Sequence, residues 1–191
     1  IIHEQAHATL FLRGHAQFNE EFATFVGDRG ALGYLRDVGA SAGVVATVEA
    51  ELADRRRARM LILNLRDQLE HVYASGRDEE WLRAEKARTI EEFQEYVRSE
   101  YDELFETDLM AGLGSIEINN AYIDLYATYT QDLGLFEALY ERFDRDMAKL
   151  VRALTVLERP EAIKPRAARR MARRDPKEYL RSYLLQTVTD S

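Results

Sequence analysis

The sequence predicts an all-α fold, and three observations predict it. All three prolines (Pro160, Pro165 and Pro176) fall late, which leaves 159 residues free of the one side chain that breaks a helix from within. Apolar residues recur at steps of three and four, the period of a helix face. No convincing run alternates apolar with polar residues, and there is no internal repeat or low-complexity tract.

Taken in order, the first helix carries His3 and His7, and Gly14 lets the chain turn into a second helix beginning near Asn19. Val45, Val48, Leu52, Ile62, Leu65, Leu69 and Val72 lie on one stripe, so Val44 to Tyr73 reads as a single long helix ended by Gly76. Another begins near Asp78, with Ile90, Phe93, Val97, Tyr101 and Leu104 on its stripe, and the two are expected to form an antiparallel hairpin. Gly112 and Gly114 open a short loop. A helix over Ile118 to Leu133 follows, with Tyr122, Tyr126 and Tyr129 on its stripe. Gly134 is expected to separate it from one carrying Phe136, Leu139, Phe143, Met147, Leu150 and Leu154.

Composition bounds the function. The chain has 191 residues, 46% hydrophobic and 31% charged, as in a globular domain and unlike a disordered or fibrous segment. Its net charge of −8 argues against whole-surface attraction to nucleic acid or anionic lipid, so no nucleic-acid partner is expected. Without cysteine there is no disulfide, thiolate zinc site or cysteine nucleophile, and a metal would need histidine and carboxylate ligands. No apolar run approaches the ~20 residues of a transmembrane helix, and no signal peptide is visible. The chain opens Ile1-Ile2-His3 without methionine and reads as the C-terminal portion of a longer protein. An apolar face left by a missing upstream domain would favour self-association, so a homodimer is expected.

Charge also divides the chain. Residues 159–181 hold nine basic and three acidic side chains, +6, which leaves −14 on the remainder. The division expected is a helical domain over 1–158 and a basic tail or helix over 159–191. That tail is either a solvated strap held by internal charge pairs or a surface that docks on the body, on anionic lipid or on a polyanion. The Arg55-Arg56-Arg57 run of the hairpin reads as a solvated face.

The residues that carry chemistry are His3-Glu4-Gln5-Ala6-His7, an H-E-x-x-H pattern. On a helix the two histidines lie one turn apart on one face and can converge on one ion, for which zinc is suited. Glu4, about 100° round the helix, can reach a water without being a ligand, the position of a general base. A catalytic zinc usually has three protein ligands. Thirteen residues after His7 stands Glu20, within Asn19-Glu20-Glu21-Phe22-Ala23, N-E-x-F-A, and it completes a His2Glu set. Glu4-Gln5-Ala6-His7 is also the E-x-x-H of di-iron carboxylate bundles, but Leu12 and Gln68 occupy the places three before His15 and His71, so the second such motif is missing.

Together these motifs resemble the gluzincin metallopeptidases, and the stretch from His3 to Leu35, with Ala23-Thr24-Phe25-Val26-Gly27, is similar to a bacterial family of predicted aminopeptidases that are zinc proteases. Asn119-Asn120-Ala121 followed by Tyr129 resembles that family's C-terminal helices. The resemblance implies zinc held by His3, His7 and Glu20, Glu4 as catalytic acid/base, a peptide substrate and a bacterial cell-envelope or periplasmic location. It makes Tyr129 the donor to the tetrahedral oxyanion, with Tyr126 the fallback, either of which would otherwise be core. Asn119 and Asn120 either line the substrate cleft or cap a helix. Where related gluzincins often carry a further carboxylate, about two turns after the third ligand, this chain has Gly27 beside Asp28. The sheet and amine-recognition elements of an aminopeptidase would precede Ile1. The competing reading is a catalytically inactive helical scaffold or interaction module with a vestigial metal motif.

Overall fold

A computed structural model describes residues 1–130 and 133–186, with the side chains of 127–130 excepted, and the described residues contain no strand. No helix among them is long and apolar enough to cross a membrane. The helices are α1 (Ile2–Thr9), α2 (Ala16–Asp37), α3 (Ala42–Tyr73), α4 (Glu79–Ser99), α5 (Tyr101–Leu104), α6 (Asn120–Thr130), α7 (Leu133–Arg142), α8 (Met147–Leu154), α9 (Arg166–Arg174) and α10 (Pro176–Tyr179), and α10 runs on into a π turn over Leu180–Leu185. They form two compact units, one made of residues 1–34 with 128–191 and the other of 35–127.

In the first unit, Phe18, Phe22 and Phe25 project from α2 at helical spacing, and the Phe136 ring of α7 lies 5.6–6.1 Å from all three. Edge and offset contacts at such distances add to the gain from burial itself. Leu139, Leu150, Leu154 and Leu180 complete this core, none of them measurably exposed. The basic segment after residue 158 contributes Ile163, Ala168, Ala172 and Tyr179 to it, so its apolar face is docked while Arg166, Arg170, Arg173 and Arg174 face solvent.

The second unit is the expected hairpin. Ser41 caps α3 and Asp78 caps α4, each accepting a bond from a backbone N–H of the first turn. Ala58, Ile62, Leu65 and Leu69 of α3 form a core with Val97, Phe105, Leu113, Ile118 and Ile123. Asp54, 3% exposed, accepts bonds from the Glu106 and Thr107 N–H groups and the Thr107 hydroxyl at 2.7–2.9 Å. It thereby ties the chain after α5 to α3.

Four boundaries differ from the sequence reading. Helix α2 begins at Ala16, because His15 lends its carbonyl to the Asn19 N–H, and Asn19 lies inside the helix. The stripe from Ile90 to Leu104 breaks at Glu100 into α4 and α5. Gly134 sits in the first turn of α7 and separates nothing; residues 131 and 132 lie outside the described residues. The stripe from Phe136 to Leu154 is two helices, because the backbone turns left-handed at Asp144 and Arg145, φ 58° and 59°. The Arg145 N–H returns to the Tyr140 carbonyl and closes α7.

Candidate metal centre

The site is built by the first two helices. Gly14, at φ +84°, makes the turn between them, a conformation glycine adopts without strain. Gly27 faces α1, where a Cβ would lie in ordinary contact 3.5 Å from His3 Cβ and 3.7 Å from the His3 backbone; the tighter approach is at Gly30, where one would come within 3.0 Å of the Ile2 side chain. Being glycine, position 27 offers no acidic side chain to orient His3. The crossing is fixed by Asn19, 1% exposed, which accepts a bond from Leu12 N at 2.8 Å and donates one to Leu12 O at 3.0 Å. Its role is to clamp the turn to α2.

This geometry brings three predicted residues together. The Nε2 atoms of His3 and His7 are 3.2 Å apart, and each lies 3.5 Å from a different oxygen of Glu20. The two rings stand edge to face, interplanar angle 83°. One ring N–H satisfies only one of these three approaches, whereas a cation among them satisfies all. Donors 2.0–2.1 Å from a tetrahedral zinc are about 3.3 Å from one another; the three approaches are of that order, the two to Glu20 end on different oxygens, and with one oxygen taken the three donor atoms lie within 4.8 Å of one another. The donor set, two imidazole nitrogens and a carboxylate oxygen, fits zinc in kind as well. Among the described residues this is the one cluster of three or more such groups with that spacing.

The surroundings divide the roles. The His3, His7 and Glu20 side chains are 32%, 20% and 25% exposed, open enough on one side for a further ligand. Glu4 is exposed and has no hydrogen-bond or ion-pair partner among the described residues. Nδ1 of His7 is buried and likewise unpartnered, although a ligating histidine usually donates that N–H. The residue after the third donor turns inward: Glu21 is wholly buried, and its oxygens accept from Lys177 Nζ at 3.1 and 3.3 Å and from Gln17 Nε2 at 3.0 Å.

The other predicted site residues lie elsewhere in the chain. Asn119 caps α6, its Oδ1 accepting from Tyr122 N at 3.0 Å, and Asn120 accepts from the Tyr73 hydroxyl at 3.2 Å, both within the second unit. Tyr126 pairs with Tyr122, hydroxyl to hydroxyl at 3.3 Å, and burial together with that bond pushes the Tyr122 phenol well up. The side chain of Tyr129 lies outside the described residues. His15 contacts the Arg173 carbonyl at 3.2 Å, and His71 the Asp67 carbonyl at 2.6 Å. The sequence reading missed Gly27 as a contact, Leu12 as the partner of Asn19, and the Glu21–Lys177 pair. Of these only Glu21 carried a signal, an acidic residue on the inner face of its own helix.

A family model described as "Putative aminopeptidase" matches residues 1–169, most of the chain and the first part of the basic segment. No curated protein and no solved structure matches it.

Proposed function

From the premise that this chain belongs to the putative aminopeptidase family, we propose that it hydrolyses peptide bonds with a zinc ion held by His3, His7 and Glu20. The observation that carries the reading is the gathering of three donor groups, two Nε2 atoms 3.2 Å apart and each 3.5 Å from an oxygen of Glu20, on residues that the H-E-x-x-H and N-E-x-F-A patterns pick out independently. Bound there, zinc supplies a Lewis acid for the scissile carbonyl and lowers the pKa of a water toward neutrality.

The chain's own residues do the rest. Glu4 follows His3 in α1 with its carboxylate unengaged, so it can accept the proton of an attacking water and return it to the leaving amine. Glu20 neutralises part of the cation's charge while the two imidazoles stay neutral donors. The oxyanion needs a hydrogen-bond donor beyond the cation, and Tyr129 takes that role in this proposal.

The test is metal content by elemental analysis, with chelator-sensitive hydrolysis of aminoacyl-arylamides in the same samples. Near-stoichiometric zinc, lost in Glu20→Ala, together with hydrolysis is the expected result. Glu4→Gln should keep the metal and lose about 10²–10⁴ in kcat, the usual worth of a general base. A wild-type protein that takes up no zinc at micromolar concentration overturns the reading and assigns the chain to helical interaction modules.

A further inference from the structure

Glu20 is flanked by two buried polar residues, Asn19 at 1% and Glu21 at 0% exposure, each tied to a different part of the first unit. Successive helical residues are about 100° apart, so these two stand on opposite sides of Glu20. Asn19 binds the turn that leads back to His7, and Glu21 binds Lys177 of α10. We infer that Lys177 is a positioning residue of the metal centre: through Glu21, the basic C-terminal segment sets the rotation of α2 that presents Glu20 to the histidine pair. This rests on the reading of His3, His7 and Glu20 as a metal site, and it adds a residue beyond position 169, where the family match ends.

The other contacts of α2 in the first unit are the packing of Phe18, Phe22 and Phe25, which is non-directional, and the Arg29–Glu137 ion pair, nine residues and two and a half turns beyond Glu20; the directional bonds beside Glu20 itself are those of Asn19 and Glu21. A carboxylate about 6 Å from a helix axis moves roughly 2 Å when the helix turns by about 20°, against a tolerance in metal–ligand distance of about 0.2 Å. Directional bonds are required, one on each side, since a single anchor leaves a pivot. Lys177 is itself held: Pro176 is buried, and Asp175 caps α10 by accepting from Glu178 N at 2.9 Å. Nor does stability alone account for the pair. Its carboxylate is wholly buried, and apolar residues of similar volume commonly serve as well or better in such a place.

The experiment measures zinc affinity by competition with a chromophoric chelator, on protein shown to be folded by circular dichroism. Wild type is compared with Lys177→Met, Lys177→Arg, the double variant Glu21→Gln/Lys177→Met, and Arg170→Gln as a control for loss of an exposed charge in the same segment. The double variant removes both charges, so it leaves no orphaned buried carboxylate to unfold the protein. Expected are a tenfold or greater weakening in the double variant and in Lys177→Met where it folds, and less than threefold in Lys177→Arg and Arg170→Gln. Wild-type affinity in the folded double variant overturns the inference while leaving the metal site standing. Equal weakening in Arg170→Gln overturns it too, by making the effect one of general charge. Failure of wild type itself to bind zinc is the separate failure of the metal reading.

Discussion

Replacing Asn19 with alanine removes two bonds that clamp the turn after α1 to α2. Both end on the backbone of Leu12, itself 7% exposed, so neither the freed N–H nor the freed carbonyl is restored to water without opening the turn. An unsatisfied buried group costs about 1–3 kcal/mol, and partial relaxation at this surface turn puts the sum at about 2–4 kcal/mol. For a chain of this size that is a fall in Tm of about 5–12 °C. Urea unfolding of the metal-free protein, with m-values compared to verify that the same surface is exposed, gives the number directly. Asn119→Ala belongs beside it, because Asn119 is exposed and only caps α6, a contribution of about 1 kcal/mol. Asn19→Asp should also destabilise, since it keeps the acceptor for Leu12 N but sets an oxygen against Leu12 O. If Asn19→Ala unfolds within about 0.5 kcal/mol of wild type, the level of an inert surface change, the clamp does not hold the turn and the reasoning fails.

Other outcomes follow from the same structure. Gly27→Ala should be neutral or slightly stabilising, since its Cβ meets His3 at an ordinary 3.5 Å and alanine favours the helix, whereas Gly27→Val should push α1 away and weaken zinc binding about tenfold or more by chelator competition. Asp54 is pushed up by burial but pulled further down by the Glu106 and Thr107 donors and by Arg57, so its carboxyl stays below the usual carboxylate range. A depressed folded pKa contributes stability above the unfolded value, about 3.9, and loses it as pH falls through the folded one. The advantage of wild type over Asp54→Asn in urea unfolding should therefore be full at pH 6 and shrink toward pH 3. Tyr129→Phe should lower kcat by about 10²-fold or more in arylamide hydrolysis with zinc content unchanged; unchanged kcat removes it from the mechanism.

Much of the fold was legible because local rules decide it. The α3–α4 hairpin follows from stripes at helical spacing and from Asp78 at the start of α4, and the nearness of His3, His7 and Glu20 follows from two motifs on neighbouring helices. What stayed hidden depends on tertiary contacts. An apolar stripe runs unbroken from Phe136 to Leu154, and only the left-handed turn at Asp144 and Arg145, two residues with no glycine to announce it, divides it. Nothing in the spacing tells that Asn19 reaches back to Leu12 or that Lys177 meets Glu21, 156 residues earlier. Charge dominates the composition of the basic segment, which left solvated strap and docked helix both open, while Ala168 and Ala172 are what α9 buries.

The first unit is discontinuous, and this sets an order on the ribosome. His3, His7, Glu20 and the aromatic face of α2 are made before the hairpin of residues 35–127, but Phe136, Leu150, Leu180 and Lys177, which cover the back of that helix, are made after it. A nascent chain halted within the hairpin therefore carries α1 and an α2 whose phenylalanines are still bare, a species prone to aggregate or to recruit a chaperone. The hairpin, whose contacts are nearer in sequence, can fold while the ribosome is still working, whereas the cover of α2 waits until Lys177 and Leu180 have left the exit tunnel.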